Sequence, residues 1–154
     1  MPHTIRTAIP EDETALSELL PGLADFEVPA ARDSKDLWSG DRELMRKVLA
    51  GCADNSHVLV AATAENKAVA IAMYTIKPEL LSSATSAHLE ALAVHPDHRR
   101  LGLADKLIDA VAAESRLQGA VGMSLHVFSN NTRARALYKN SGFDEEIIRC
   151  YKPL

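Results

Sequence analysis

The residues most suited to chemistry lie in one continuous stretch. Leu89 to Val94 is an apolar run interrupted only by Glu90, Pro96 ends it, and Arg99-Arg100-Leu101-Gly102-Leu103-Ala104 follows. From Leu103 onward, Leu107, Ala110, Val111 and Leu117 recur at helical spacing. The stretch therefore reads as strand, basic glycine-bearing loop and helix start. A helix N-terminus offers unpaired N–H groups and the positive end of a dipole, which suits a phosphate. A nucleoside-triphosphate loop would need Lys-Ser or Lys-Thr after Gly102, and a dinucleotide fingerprint would need three spaced glycines; neither is present. The expectation is a phosphorylated ligand with a carboxylate just upstream.

Strand alternation places His88, Glu90, Leu92 and Val94 on one face. A carboxylate among apolar neighbours is costly to bury unpaired. Glu90 is thus either the structural partner of a buried Arg or Lys, or a general base of raised pKa. Asn131 and Tyr138 lie seven residues apart on a short helical pattern, two turns or roughly 10 Å along one face. Ala134 between them leaves room. Asn131 also suits a helix N-cap, and Tyr138 a core aromatic with a satisfied hydroxyl. His88, His95, His98 and His126 invite a metal, but His95-x-x-His98 spans a proline-bearing loop with no Cys or third ligand nearby. They read as solvated or hydrogen-bonded histidines, and no metal is expected.

Two segments carry a family resemblance. Arg99-x-x-Gly102-x-Ala104 after the Leu92-x-Val94 strand resembles the acyl-CoA loop of the GNAT acetyltransferase superfamily. Val127-x-x-x-Asn131-x-x-Ala134-x-x-Leu137-Tyr138-x-x-x-Gly142-Phe143 resembles the superfamily's other recurrent stretch, in the expected order. Together they cover roughly the C-terminal half of the chain. The resemblance implies that main-chain amides from Arg99, Arg100, Gly102, Leu103 and Ala104 hold the pyrophosphate of acetyl-CoA. Gly102 permits close approach, and Ala104 is the accepted small substitute. Arg100 and Leu101 stand where the common form has Gly and then Lys or Gln. It implies that the strand at Leu92, Ala93 and Val94 splays from its parallel neighbour and pairs with the pantetheine arm. Asn131 would bond a pantetheine amide, Tyr138 would point at the sulfur, and Glu90 would deprotonate the acceptor amine, directly or through water. The segment holding Asp25, Phe26, Glu27, Asp33, Asp36 and Trp38 lies where the family places its acceptor loop. Its acidic, aromatic character suits a cation.

The remaining chain must position these groups. Its 154 residues fit one domain, 1–154, with a real core. A hydrophobic fraction of 47% and a charged fraction of 25% exclude disordered and repeat classes. A net charge of −4 without a broad basic face argues against nucleic acid. No apolar stretch approaches a membrane span, and Met-Pro-His-Thr lacks the apolar region of a secretory signal. Cys52 and Cys150 are expected as buried or free thiols in a reducing cytoplasm. The patterning predicts strands at Thr4–Ile9, His57–Thr63, Ala68–Ile76, Leu89–Val94, Met123–Ser129 and Glu146–Lys152. It predicts helices from Pro10 to near Leu20, from an Asp41 cap to Gly51, from Leu103, and over Thr132–Asn140. The order is β-α-α-β-β-β-α-β-α-β, an α/β (α+β) architecture with a mixed, mostly antiparallel sheet and flanking helices.

The implied activity is acetyl transfer from acetyl-CoA to a primary amine, of a small molecule, by direct attack in a ternary complex. Acetylation of protein lysines or N-termini, and a non-catalytic acyl-CoA-binding regulatory module, are the alternatives. Ala24-Asp25-Phe26-Glu27 and Leu89-Glu90 look loosely like polyamine acetyltransferases, which usually carry Asp where Ala91 stands. Family members often pair, so a homodimer is compatible with the chain.

Overall fold

The computed structural model describes residues 2–154; Met1, the first residue of the expected domain, lies outside the described residues. A five-stranded sheet of order β1-β2-β3-β4-β5 forms the centre. Its strands are β1 (Thr4–Thr7), β2 (Ser56–Ala62), β3 (Ala68–Pro78), β4 (Thr85–Val94) and β5 (Met123–Leu125). The first three pairings are antiparallel and β4–β5 is parallel, giving the mixed sheet expected. The helices are α1 (Glu13–Leu19), α2 (Ser39–Leu49), α3 (Leu103–Leu117) and α4 (Thr132–Asn140).

Alternation along β2 and β3 sends side chains to two layers. Val58, Val60, Ile71 and Met73 pack with Leu16, Leu20 and Met45 of the α1–α2 side. Leu59, Ala61, Ala70, Ala72 and Tyr74 pack with Leu103, Leu107 and Val111 of α3. This two-sided burial explains why the strands read as continuous apolar runs. Leu117, expected on the buried side of α3, is exposed as the last residue of the helix, next to its Gln118 C-cap.

Several boundaries differ from expectation. Pro21 ends α1 as anticipated, and the chain continues as a 3-10 turn over Leu20–Ala24. Asp41 does not cap α2: Trp38 occupies that position and Asp41 falls inside the first turn. β5 stops at Leu125, four residues short of the predicted end. Glu146–Lys152 forms no strand; it is irregular and exposed, without a ladder partner among the described residues. Its β-branched pattern satisfies only the local requirement for a strand; the partner edge is a tertiary matter.

The decisive irregularity lies in β4. Met73 pairs with Ala91 and Tyr74 with Leu89, so Glu90 is an extra residue, a β-bulge. The bulge reverses alternation. Ala87 and Leu89 face α3, and so do Leu92 and Val94; Ala91 and Ala93 face α1 and α2. The expected single face of His88, Glu90, Leu92 and Val94 is therefore split at Glu90.

Candidate active site

β4 and β5 are paired only at Ala87–Met123, His88–Ser124 and Leu89–Leu125. Beyond Leu89 the two chains separate, and a cleft of about 500 Å³ opens between Glu90–Val94 on one wall and Leu125–Phe128 on the other. That volume falls in the range of small-ligand sites, ~300–1,000 Å³. The His95 amide donates to Val69 O at 2.8 Å, so alternation turns the main-chain groups of Ala93 towards β3 and those of Leu92 and Val94 towards the cleft. Consistent with this, Val94 O accepts a bond from Arg99 Nε at 3.3 Å. Ala93 contributes to the wall through its buried side chain rather than through free amides.

The cleft runs to the N-terminus of α3. A 3-10 turn over Pro96–His98 is followed by Arg100 at φ +62° and Gly102 at φ +72°. Gly102 is the N-cap of α3, and a Cβ there would meet no protein atom within 4 Å. Its glycine character thus answers the left-handed backbone and the open space before the helix, not protein crowding. Leu103 presents only its main chain to this end, since its side chain is 2% exposed in the core. Ala104 lines the cleft.

Tyr138 projects from α4 into the same cleft, its ring edge-on to Phe143 at 5.8 Å. Burial raises its pKa, so the hydroxyl stays protonated at neutral pH. Asn131 is the N-cap of α4, its Oδ1 accepting from the Ala134 amide at 3.4 Å, and it also lines the cleft.

At the other end, the Glu90 carboxylate lies 3.8 Å from Lys77 Nζ and 4.0 Å from His88 Nε2. His88 Nδ1 contacts Ser124 Oγ at 2.9 Å, and its ring lies 4.8 Å from that of His126. Burial, and after it the charge of Lys77, keep His88 below the ordinary histidine pKa against the pull of Glu90. Among the described residues no group of three or more His, Cys, Asp or Glu is placed to hold a metal. Cys52 and Cys150 are free and exposed.

The segment after α1 closes the cleft from above. Asp25 pairs with Arg99 at 3.1 Å and approaches Arg133 at 3.8 Å. Asn130 Nδ2 donates to Glu27 O at 2.5 Å, and Phe26 packs on Phe128 at 5.5 Å. Of the acidic and aromatic residues singled out in this segment, Asp25 and Phe26 reach the cleft. Trp38 instead packs on the core beneath Arg42, and Asp33 caps the turn that follows it. Sequence reasoning missed the place of Asp41 in the cleft. Asp41 lines the chamber beside Glu90, and its pKa is pushed up to about 6 by burial and by the Glu90 charge. The signal was present as an acidic residue opening a helix, but capping explained it equally well.

Comparison with known proteins gives the family of a chain with this geometry. A family model described as acetyltransferase (GNAT) family matches residues 23–143. The chain belongs to the GNAT family. A curated relative, the [ribosomal protein bS18]-alanine N-acetyltransferase of Salmonella typhimurium, is 37% identical over 79 residues, 51% of each chain. The chain thus spans about half the length of the curated relatives it matches. The structure of AAC(6')-Iy in complex with the bisubstrate analog CoA-S-monomethyl-acetylneamine superposes with a TM-score of 0.74 at 23% identity, covering 100% of this chain and 99% of that one. A ribosomal-protein-alanine N-acetyltransferase from Brucella melitensis gives a TM-score of 0.72 at 18% identity, covering 100% of both chains. These likenesses establish the shared GNAT fold.

Proposed function

We propose that this chain is an acetyl-CoA-dependent N-acetyltransferase that acts on a primary amine by direct attack in a ternary complex. The observation carrying this reading is the continuity of one cleft. It runs from the open β4 edge at Leu92 and Val94 to the Gly102 cap, with Glu90 at one end and Tyr138 on the facing helix. The donor set fits acetyl-CoA: strand amides suit an extended pantetheine arm, and the start of a 15-residue helix suits a pyrophosphate.

An alkylamine is protonated at neutral pH, with a pKa of about 10.4. Glu90, directly or through a water, accepts that proton. The nitrogen lone pair then forms the N–C bond with the thioester carbonyl, held beside it by the cleft. A free strand N–H near Leu92 faces the negative charge that develops on the carbonyl oxygen. The C–S bond breaks, and the thiolate departs with the Tyr138 hydroxyl donating a hydrogen bond to sulfur. Full proton transfer from tyrosine to a thiolate is uphill by about 2 kcal/mol from ordinary pKa values of about 10 and 8.5. Burial of Tyr138 steepens it, so hydrogen-bond donation is the role that fits.

Acceptors of two kinds are supported differently. The cleft supports a small-molecule amine. The stretch shared with the bS18-alanine N-acetyltransferase supports an alanine-initiated peptide as the second reading. The two free, exposed thiols suit a reducing, cytoplasmic setting. Thiol release from acetyl-CoA across an aminoglycoside, 1,4-diaminobutane, an alanine-initiated peptide and a lysine peptide tests the proposal. Turnover of at least one amine is expected. Binding of acetyl-CoA without turnover of any amine would instead indicate a non-catalytic acyl-CoA module.

A further inference from the structure

The acceptor chamber contains a carboxylate that the mechanism above does not use. Asp41 sits in the first turn of α2 and lines the same cleft as Glu90 of β4, near enough for the two charges to act on each other. Its helix is capped at Trp38, so Asp41 is not engaged as the N-cap. Arg42, its neighbour in sequence, has its guanidinium stacked over the Trp38 ring at 4.3 Å. Lys77 serves Glu90 at 3.8 Å, and His88 approaches Glu90 at 4.0 Å. His88 is held towards its neutral form, and His126 packs on it. Among these groups, Lys77 balances Glu90, and Asp41 is left as the uncompensated negative charge in the chamber.

Two carboxylates in a partly dry cavity repel each other, and each loses hydration. This disfavours the empty state and favours entry of a cation. Leu23, Phe26 and Leu37 line the same cleft and supply apolar surface that suits the carbon skeleton next to a charged nitrogen. We propose that Asp41 is an acceptor-binding residue that receives the substrate nitrogen as a cationic ammonium, selecting amines over neutral isosteres before Glu90 accepts the proton. This assignment rests on the acetyl-transfer reading for its biological meaning, but binding tests it independently of turnover.

The probes are butylamine, charged at neutral pH, and its neutral isostere butanol. Each is titrated into the CoA-saturated protein and followed by NMR chemical shifts. At pH 7.5 the wild-type protein is expected to bind butylamine at least tenfold more tightly than butanol. Asp41→Asn is expected to reduce that preference to threefold or less, with the Kd for CoA unchanged; Asp41→Glu is expected to restore it. Asp41 titrates near 6, so the wild-type preference is also expected to fall on moving from pH 7.5 to pH 5. Because His88 and His126 lie at the same end of the cleft and also gain charge over this range, the pH series is compared with that of Asp41→Ser, the second substitution should Asp41→Asn fold poorly. A wild-type protein without the preference, or a preference retained in well-folded Asp41→Asn or Asp41→Ser, overturns the assignment. Thiol release is read separately, so failure of acetyl transfer and failure of the Asp41 role give different results.

Discussion

At the residue scale, the cleft separates groups by the state in which they are held. Tyr138 is kept protonated by burial, and it lines the cleft between the two diverging strands. If its bond to sulfur forms only as the C–S bond breaks, its removal affects the transition state more than the ground state. Tyr138→Phe is accordingly expected to lower kcat tenfold or more while changing the KM for acetyl-CoA less than threefold, measured by thiol release. An unchanged kcat removes Tyr138 from the mechanism. Glu90 differs in kind, because its position comes from backbone geometry. The bulge at Glu90 releases its side chain from strict alternation, and Glu90 lines the same cleft as Asp41.

At the element scale, the cleft exists because β4 and β5 share only three paired positions before diverging. The left-handed Gly102 then starts α3 where the cleft ends. Replacing Gly102 by alanine puts a Cβ on a residue at φ +72° and costs about 1–2 kcal/mol. The added methyl meets no protein atom, so the fold tolerates it, but it projects into the space assigned to the pyrophosphate. Gly102→Ala is expected to fold with a lowered Tm and to raise the Kd for acetyl-CoA at least tenfold by calorimetry. Normal affinity in a well-folded variant would remove this loop from the binding site.

At the scale of the whole molecule, one ion pair ties the sheet edge to the first helical layer. Arg6 of β1 donates from Nη1 and Nη2 to Asp12 at 2.7 and 3.0 Å, and Asp12 also accepts from the Ile9 amide at 2.9 Å. Burial pulls the Asp12 pKa upward, but Arg6 and the Ile9 amide outweigh it and hold it below the ordinary value. Its stabilisation is therefore complete above the unfolded-state pKa near 3.8 and is lost as pH falls through the folded value. Asp12→Ala is expected to lose about 2–4 kcal/mol at pH 7, less than for a fully enclosed pair because Arg6 keeps some contact with water. The loss measured in urea melts should shrink below pH 4.

Much of this molecule follows from local pattern. Strand, loop and helix around Glu90 to Ala104, the hairpin of β2 and β3, and the limits of α4 at Thr132 and Asn140 depend on periodicity, turn residues and caps, which neighbouring residues determine among themselves. The two short motifs carry enough of the family's pattern to name acetyl-CoA as the expected ligand. Other features required the folded chain. The bulge at Glu90 is a mismatch between two strands, and β4 alone contains no sign of it. Glu146–Lys152 has strand-like residues but no ladder partner among the described residues, and partners come from elsewhere in the chain. Asp41 looks like a cap in sequence; only the folded chain brings it into the cleft that Glu90 also lines, close enough for the Glu90 charge to act on it. Side-chain chemistry and short-range geometry are written along the chain, whereas charge proximity and an unpaired strand edge arise between segments distant in sequence.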